Sequence, residues 1–395
     1  MKNRGIIHFL AAADRVNYGD LLFPIVFNEI ANKNNYDVYY YGLVKSDFRH
    51  FGGLPTESYK MLHKNIKKLG GTIIIGGGDV FFANWETLYS YINPLFVKLM
   101  KYRFLRKVNA KLKIIDTILH KKNVMLPLTP GVFEFNTPKS LQVVYNGVGG
   151  TFNENNTLDY NKKIVERLHS SNHISVRDNR TLNSLKKFKV NAVLTPDSAI
   201  IMSDVFPKAV LENKITIDKE NIPKNYFFLQ FGHNKAPNNF KETAQKIEVL
   251  AKNHNVKIIL CPIGLALKHE DDKELMKMEK YSSHFQFVMP KNIFDIMWLI
   301  ANSKAYMGTS LHGALTAQSY HVPFFSLNKK IKKADSYFKT WCPEISKGCI
   351  DFEDIDCIDD ALGRWSYKKN NTYLDEQKEL VYKNFEVIFS KIGLI

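Results

Sequence analysis

The sequence predicts an alternating α/β protein of two domains, and three observations carry that reading: its length, its short apolar runs set apart by stretches of helical length, and a lapse in that pattern near mid-chain. A single hydrophobic core stops growing at about 250–300 residues. A chain of 395 residues, 45% hydrophobic, therefore buries more than one.

The first series of apolar runs is Gly5–Phe9, Asp37–Tyr41, Thr72–Ile75, Gln142–Val148, His173–Val176 and Ala192–Leu194. Continuous apolar runs of this length read as strands buried on both faces of a parallel sheet. Helical stretches such as Leu21–Lys33 and Tyr160–Ser170 lie between them, bounded by Gly, Asp, Asn or Pro. Strand, helix, parallel strand implies right-handed βαβ units, the Rossmann-like arrangement. A second series follows at Tyr226–Phe231, Val256–Ile259, Phe285–Val288, Ala305–Met307 and Pro323–Leu327, with helices over Phe240–Asn253 and Ile293–Ser303. Between the series, at Phe206–Pro223, Lys, Asn, Asp and Pro accumulate. The expected plan is a first domain over 1–205, a linker over 206–223 and a second domain over 224–372. An amphipathic helix within 373–395 is expected to return to the first domain.

The formal charge of +16 suits nucleic acid, an anionic membrane or a phosphorylated substrate, and does not choose among them. No RRM, KH or helix-turn-helix signature stands out, so nucleic acid is not the expected partner. The basic residues concentrate in an insertion, about 89–135, where Lys98, Lys101, Arg103, Arg106, Lys107 and Lys111 interleave with Phe96, Leu99, Tyr102, Phe104 and Leu105. This reads either as a solvated helix face or as a face resting on an anionic membrane. Cys261, Cys342, Cys349 and Cys357 lack the paired spacing of a zinc site and are few for a disulfide scaffold, which favours a reducing, cytoplasmic setting. His8 interrupts the apolar start of the chain, so a first buried strand is expected there rather than a signal peptide.

The strongest motif is Tyr306–Ser326, which reads strand, tight turn, helix, strand. Ser310 is a plausible N-cap, leaving the amides that follow, from Leu311 to Gly313, at the positive end of a helix where a phosphate or carboxylate binds. His312 then falls in the first turn, placed to exchange a proton with a bound substrate, or merely to close the turn. Ile73–Asp79 is a strand running into Gly76, Gly77 and Gly78, a place where backbone can approach a ligand. Asn17–Asp20 follows the first strand, with Asp20 either a helix cap or a functional carboxylate. Arg177 ends a first-domain strand and is suited to an anion, or else pairs with Asp178 in a turn. Asp197 ends another strand and reads chiefly as a turn residue. Gln230 ends the first strand of the second domain, where its amide could meet a sugar hydroxyl or a donor.

Taken in order, Asn17-Tyr-Gly-Asp20, Gly76–Gly78, Asn146-Gly-Val-Gly149, Ser175-Val-Arg-Asp178, Pro196-Asp197 and Gly308-Thr-Ser-Leu-His-Gly313 resemble the landmarks of polysaccharide pyruvyl transferases, over roughly residues 5 to 330. The resemblance implies a GT-B-like pair of Rossmann-like domains with a deep cleft between them. It implies transfer of pyruvate from phosphoenolpyruvate to a sugar as a cyclic ketal, on a cell-surface polysaccharide or a precursor linked to undecaprenyl diphosphate. No metal or other cofactor is expected. His312 would be the acid and base; Arg177, Ser310, Leu311, Gly313, Gly77 and Gly78 would hold the donor; Asn17, Asp20, Asp79, Asp197 and Gln230 would face the acceptor or the cleft. Many relatives carry Arg where this chain has Ser310, so another cation, Lys235 or Arg180, would have to serve. The competing expectation is a GT-B glycosyltransferase that uses a nucleotide sugar.

Overall fold

The computed structural model describes residues 5–81, 83–112, 114–119, 126–137, 139–152, 158–343 and 349–392. Two compact units emerge. One gathers the chain up to Val16, Asp20–Ser198 and the stretch from Leu380; the other gathers Asn17–Gly19 and Ala199–Glu379.

The first unit is built on β1 (Ile7–Leu10), β2 (Val38–Tyr41), β3 (Ser46–Asp47), β4 (Pro55–Thr56), β5 (Gly71–Gly76), β6 (Leu141–Val148), β7 (His173–Val176) and β8 (Val193–Leu194). Six of these form one sheet in the order β2-β1-β5-β6-β7-β8, every pair parallel, while β3 and β4 make a small antiparallel pair. Ile73, Ile74 and Ile75 of β5 are all fully buried, which is why this strand reads as an unbroken apolar run rather than an alternating one. The last helix, Tyr367–Ile392, contributes to this unit from Leu380 on: Phe385 and Phe389 each lie 6.0 Å from the Phe27 ring, and Asn384 donates to Asn146 Oδ1 at 2.8 Å.

The second unit carries β9 (Tyr226–Gln230), β10 (Lys257–Leu260), β11 (Phe285–Phe287), β12 (Ala305–Gly308) and β13 (Phe324–Ser326). They pair in the order β11-β10-β9-β12-β13, again all parallel. In both sheets the order of stacking reverses once, between β1 and β5 in the first and between β9 and β12 in the second. Open α/β sheets bind ligands beyond the carboxyl ends of the strands at such a reversal.

Three expectations differ in detail from these elements. The first helix begins at Tyr18, three residues earlier than Leu21, so Asp20 lies in its first turn instead of capping it. Phe206–Pro223 belongs wholly to the second unit: the Asp295 carboxylate accepts from the amides of Thr216 (2.6 Å) and Ile217 (3.2 Å) and ties the segment to the helix Ile293–Ala301. The basic insertion is no single helix. It is broken into Trp85–Ser90, Pro94–Leu99, Arg103–Leu112 and Ile114–Leu119, with Asn84 and Asn93 capping the first two; Lys113, Lys121 and Lys122 lie outside the described residues.

Candidate active site

At the carboxyl edge of the first sheet, the loops after β5, β7 and β8 bring Asp79, Arg177 and Asp197 together. Arg177 donates from Nη2 to Asp79 Oδ1 at 2.7 Å and from Nη1 to Asp197 Oδ2 at 2.9 Å. The arginine side chain is 1% exposed, Asp197 is fully buried, and Asp79 reaches solvent at 44%. Burial works against the guanidinium, but Asp79, Asp197 and Asp178 more than offset it and raise its pKa above the ordinary arginine value. Arg177 is thus a buried brace between Asp79 and Asp197, while Asp178 caps the helix Asn179–Lys186 by accepting from the Thr181 amide. Asp197, expected as a turn residue, is the inner anchor of the brace.

Gly149 makes the brace possible. A methyl group there would stand 2.6 Å from Asp79 Oδ1 and 2.7 Å from Arg177 Nε. Gly77 and Gly78 have φ of 57° and 79°, the left-handed region open to glycine, and turn the chain out of β5 so that the Gly149 amide donates to the Gly78 carbonyl at 2.7 Å. Arg180, in the helix after Asp178, also belongs to this unit. Asp20 accepts from Arg15 Nε at 2.8 Å, and the Arg15 guanidinium lies 4.9 Å from the centre of the Tyr91 ring.

The second sheet supplies the other cluster. After β12 the chain turns at Gly308, and Ser310 caps the helix Leu311–Ser319, its Oγ accepting from the Gly313 amide at 3.3 Å. The cap expected from the sequence is therefore present. Leu311 and His312 occupy the first turn, where helix amides point outward along the axis. Leu311 is 1% exposed, and His312 is nine-tenths buried. The two glycines of the motif have a packing reason: a methyl group on Gly308 or Gly313 would fall within 2.7 Å of Cζ of Tyr306, whose buried hydroxyl donates to the Ser310 carbonyl.

His312 is covered by a segment from the far end of the sequence. Asn17 bridges to Gly264, and the Tyr18 amide donates to the Ile263 carbonyl at 3.0 Å. Buried Tyr18 shares a 2.8 Å hydrogen bond with Thr316 Oγ1, which itself donates to the His312 carbonyl. Gly19 then lies against the imidazole: a methyl group on it would be 2.7 Å from both Cγ and Cε1 of His312 and closer still to Nδ1. Asn17, expected at the acceptor or cleft, serves here as one half of this cover.

Sequence reasoning missed Asp271, which organises the floor of the cluster. Its Oδ2 accepts from Gln230 Nε2 (2.7 Å), Gly264 N (3.0 Å) and Ile263 N (3.3 Å). Gln230, expected to meet a sugar or a donor, has its amide turned to this carboxylate. Burial pushes the Asp271 carboxyl up to about 6, against the opposing effects of Gln230, the two amides and Lys235. The Gly232 amide donates to Thr309 Oγ1 at 3.2 Å, and Lys235 follows on the next turn, so the loop after β9 lies beside the helix start after β12. The readable signal was the Pro262–Gly264 turn after an apolar run, followed by the acidic helix start Asp271-Asp272. Among the described residues, no group of three or more His, Cys, Asp or Glu is placed to hold a metal ion.

A helix start bearing Ser-Leu-His-Gly at the reversal of a parallel sheet is the decisive feature, and the family model for polysaccharide pyruvyl transferase matches residues 17–329, from the Asn17 cover through the His312 helix to β13 and the loop beyond. The chain belongs to this family. Among curated proteins, none matches the sequence. Solved structures resemble this family member in fold. A UDP-N-acetylglucosamine 2-epimerase from Rickettsia bellii superposes with a TM-score of 0.54 at 12% identity, over 99% of this chain and 97% of the other. A glycosyltransferase from Rickettsia africae ESF-5 gives 0.56 at 12% identity, over 99% of each chain. The fold is thus of the GT-B type, with two Rossmann-like units.

Proposed function

We propose that the protein transfers pyruvate from phosphoenolpyruvate onto two hydroxyls of one sugar as a cyclic ketal, releasing phosphate, in the making of a cell-surface polysaccharide. The observation that carries this reading is the helix start Ser310–Gly313, where His312 shares the first turn with amides that suit an anion. A donor with both a phosphate and a carboxylate fits such a place. Of the two cations that could stand in for the arginine replaced by Ser310, Lys235 is favoured, because the loop that carries it lies beside Thr309.

In this reading His312 delivers a proton to the methylene carbon of the donor and C2 becomes electrophilic. One sugar hydroxyl adds to C2 and gives up its proton, for which the imidazole is then the base. The C2–O bond to phosphate breaks, phosphate departs with the electron pair, and the second hydroxyl closes the ring as its proton passes to the departing phosphate. The net change is phosphoenolpyruvate plus diol to ketal plus phosphate. Incubation with phosphoenolpyruvate and a panel of free and lipid-linked saccharides tests it, with phosphate release and a pyruvyl ketal in the mass and NMR spectra as the expected result. Release of a nucleoside diphosphate from nucleotide sugars, with phosphoenolpyruvate untouched, would instead assign the protein to the glycosyltransferases.

A further inference from the structure

The stretch Pro94–Leu112 is well docked on one side and apolar on the other. Phe96 is buried in the core of the first unit and packs 5.2 Å from the Tyr89 ring; buried Asn109 donates to Glu86 Oε1 at 2.6 Å and accepts from the Ile115 amide at 3.1 Å. Ile115 and Leu119 of the following helix are buried in the same core. With these inner contacts made, Leu95, Leu99, Tyr102, Phe104, Leu112 and Ile118 still project outward, Leu95 at 67%, Tyr102 at 66% and Phe104 at 74% exposure. Single exposed apolar residues are ordinary; a run of them on consecutive short helices marks an interaction surface.

Charge decides what that surface meets. Between Pro94 and Leu112 the chain has six cations, Lys98, Lys101, Arg103, Arg106, Lys107 and Lys111, and not one acid. All six are exposed and lie between the outward apolar residues. A protein partner of mixed charge would leave most of these cations facing each other. A second copy of the same face would oppose six positive charges with six more. An anionic bilayer answers both features at once, since headgroups neutralise lysine and arginine while leucine, tyrosine and phenylalanine enter the boundary with the acyl chains. No helix among the described residues is long and apolar enough to cross a membrane, so the contact is with its surface.

We infer that the helices Pro94–Leu99 and Arg103–Leu112 form a docking face for an anionic lipid surface. The test is co-sedimentation of the full chain with vesicles of phosphatidylcholine alone and of phosphatidylcholine mixed with an equal part of phosphatidylglycerol, across a salt series. The wild type is expected to bind the mixed vesicles only and to leave them as salt rises. Changing Arg103, Arg106, Lys107 and Lys111 together to Gln is expected to weaken binding on the order of a hundredfold. Changing Leu95, Leu99 and Phe104 together to Ser, all at exposed positions, is expected to weaken it even at low salt. Circular dichroism melting checks that both variants fold. Equal binding to the two vesicle types, or equal sedimentation by wild type and both variants, overturns the inference. So does a self-association in analytical ultracentrifugation that the serine variant abolishes while its vesicle binding is unchanged, or a tighter, vesicle-displacing affinity for a random oligonucleotide.

Discussion

Gly19 lies directly on the His312 imidazole, so that any side chain at position 19 would begin where the ring now stands. Helix propensity alone would make Gly19→Ala favourable by about 1 kcal/mol, since the residue is in the first turn of a helix. The clash runs the other way, at about 1–3 kcal/mol for overpacking, and a methyl group this deep inside the ring's contact distance leaves no room for relaxation without moving the histidine. Gly19→Ala is therefore expected to fold with a lowered Tm and to lose at least tenfold in phosphoenolpyruvate-dependent phosphate release. Unchanged turnover would show that the ring's position does not matter to the reaction.

His312→Ala opens space instead of filling it. Folding should survive, and turnover should fall by about a hundredfold or more, the scale of a lost general acid and base. Steady-state phosphate release by the purified, correctly melting variant decides this; near-normal rates sink the proposed role.

Arg177→Ala removes the guanidinium that donates to both Asp197 and Asp79 in the first unit. Breaking a buried pair from one side costs about 3–5 kcal/mol, and lysine should restore only part of it because a single ammonium cannot brace two carboxylates as the guanidinium does. Thermal melting of the two purified variants beside the wild type measures both the loss and the partial rescue. An unchanged Tm in the alanine variant would mean that the two carboxylates do not depend on the arginine.

Asp271 provides a test that turns on pH. Its folded pKa, about 6, lies above the unfolded value of 3.8, so the folded state holds the proton more tightly and the group's contribution to stability is lost as pH rises through that window. Asp271→Asn carries no such titration. Its stability relative to wild type should therefore improve between pH 4 and pH 7, by about 2–3 kcal/mol at most. Chemical denaturation of both proteins at the two pH values measures the difference, and a fixed offset would place the Asp271 pKa near its unfolded value.

Much of the framework could be read along the chain because parallel strands buried on both faces leave a local mark: the runs expected at Thr72–Ile75, Gln142–Val148 and Tyr226–Phe231 all fall on observed strands. The Ser310 cap was legible for the same reason, since a hydroxyl three residues from the amide that it accepts is a short-range signal. The partners of Arg177 were not legible. Asp79 and Asp197 reach it only through the order of strands in the sheet, which no local pattern encodes. The Gly19–His312 contact and the three-donor seat of Asp271 are likewise products of topology. The broken insertion, by contrast, carried readable stops, Asn84 and Asn93-Pro94, that its continuous basic pattern obscured.

The cover on His312 also sets an order of events in the making of the protein. Gly19 and His312 are roughly 300 residues apart, and closing so long a loop is slow relative to forming the local βαβ units around it. A growing chain emits Asn17–Gly19 almost at once, yet their bonds to Ile263 and Thr316 and the packing of Gly19 on His312 wait until β10, β12 and the helix Leu311–Ser319 have been synthesised and folded. Refolding from denaturant should therefore recover helical circular dichroism first and enzymatic competence later, with the delay belonging to the arrival of the chain's beginning on an element made near its end.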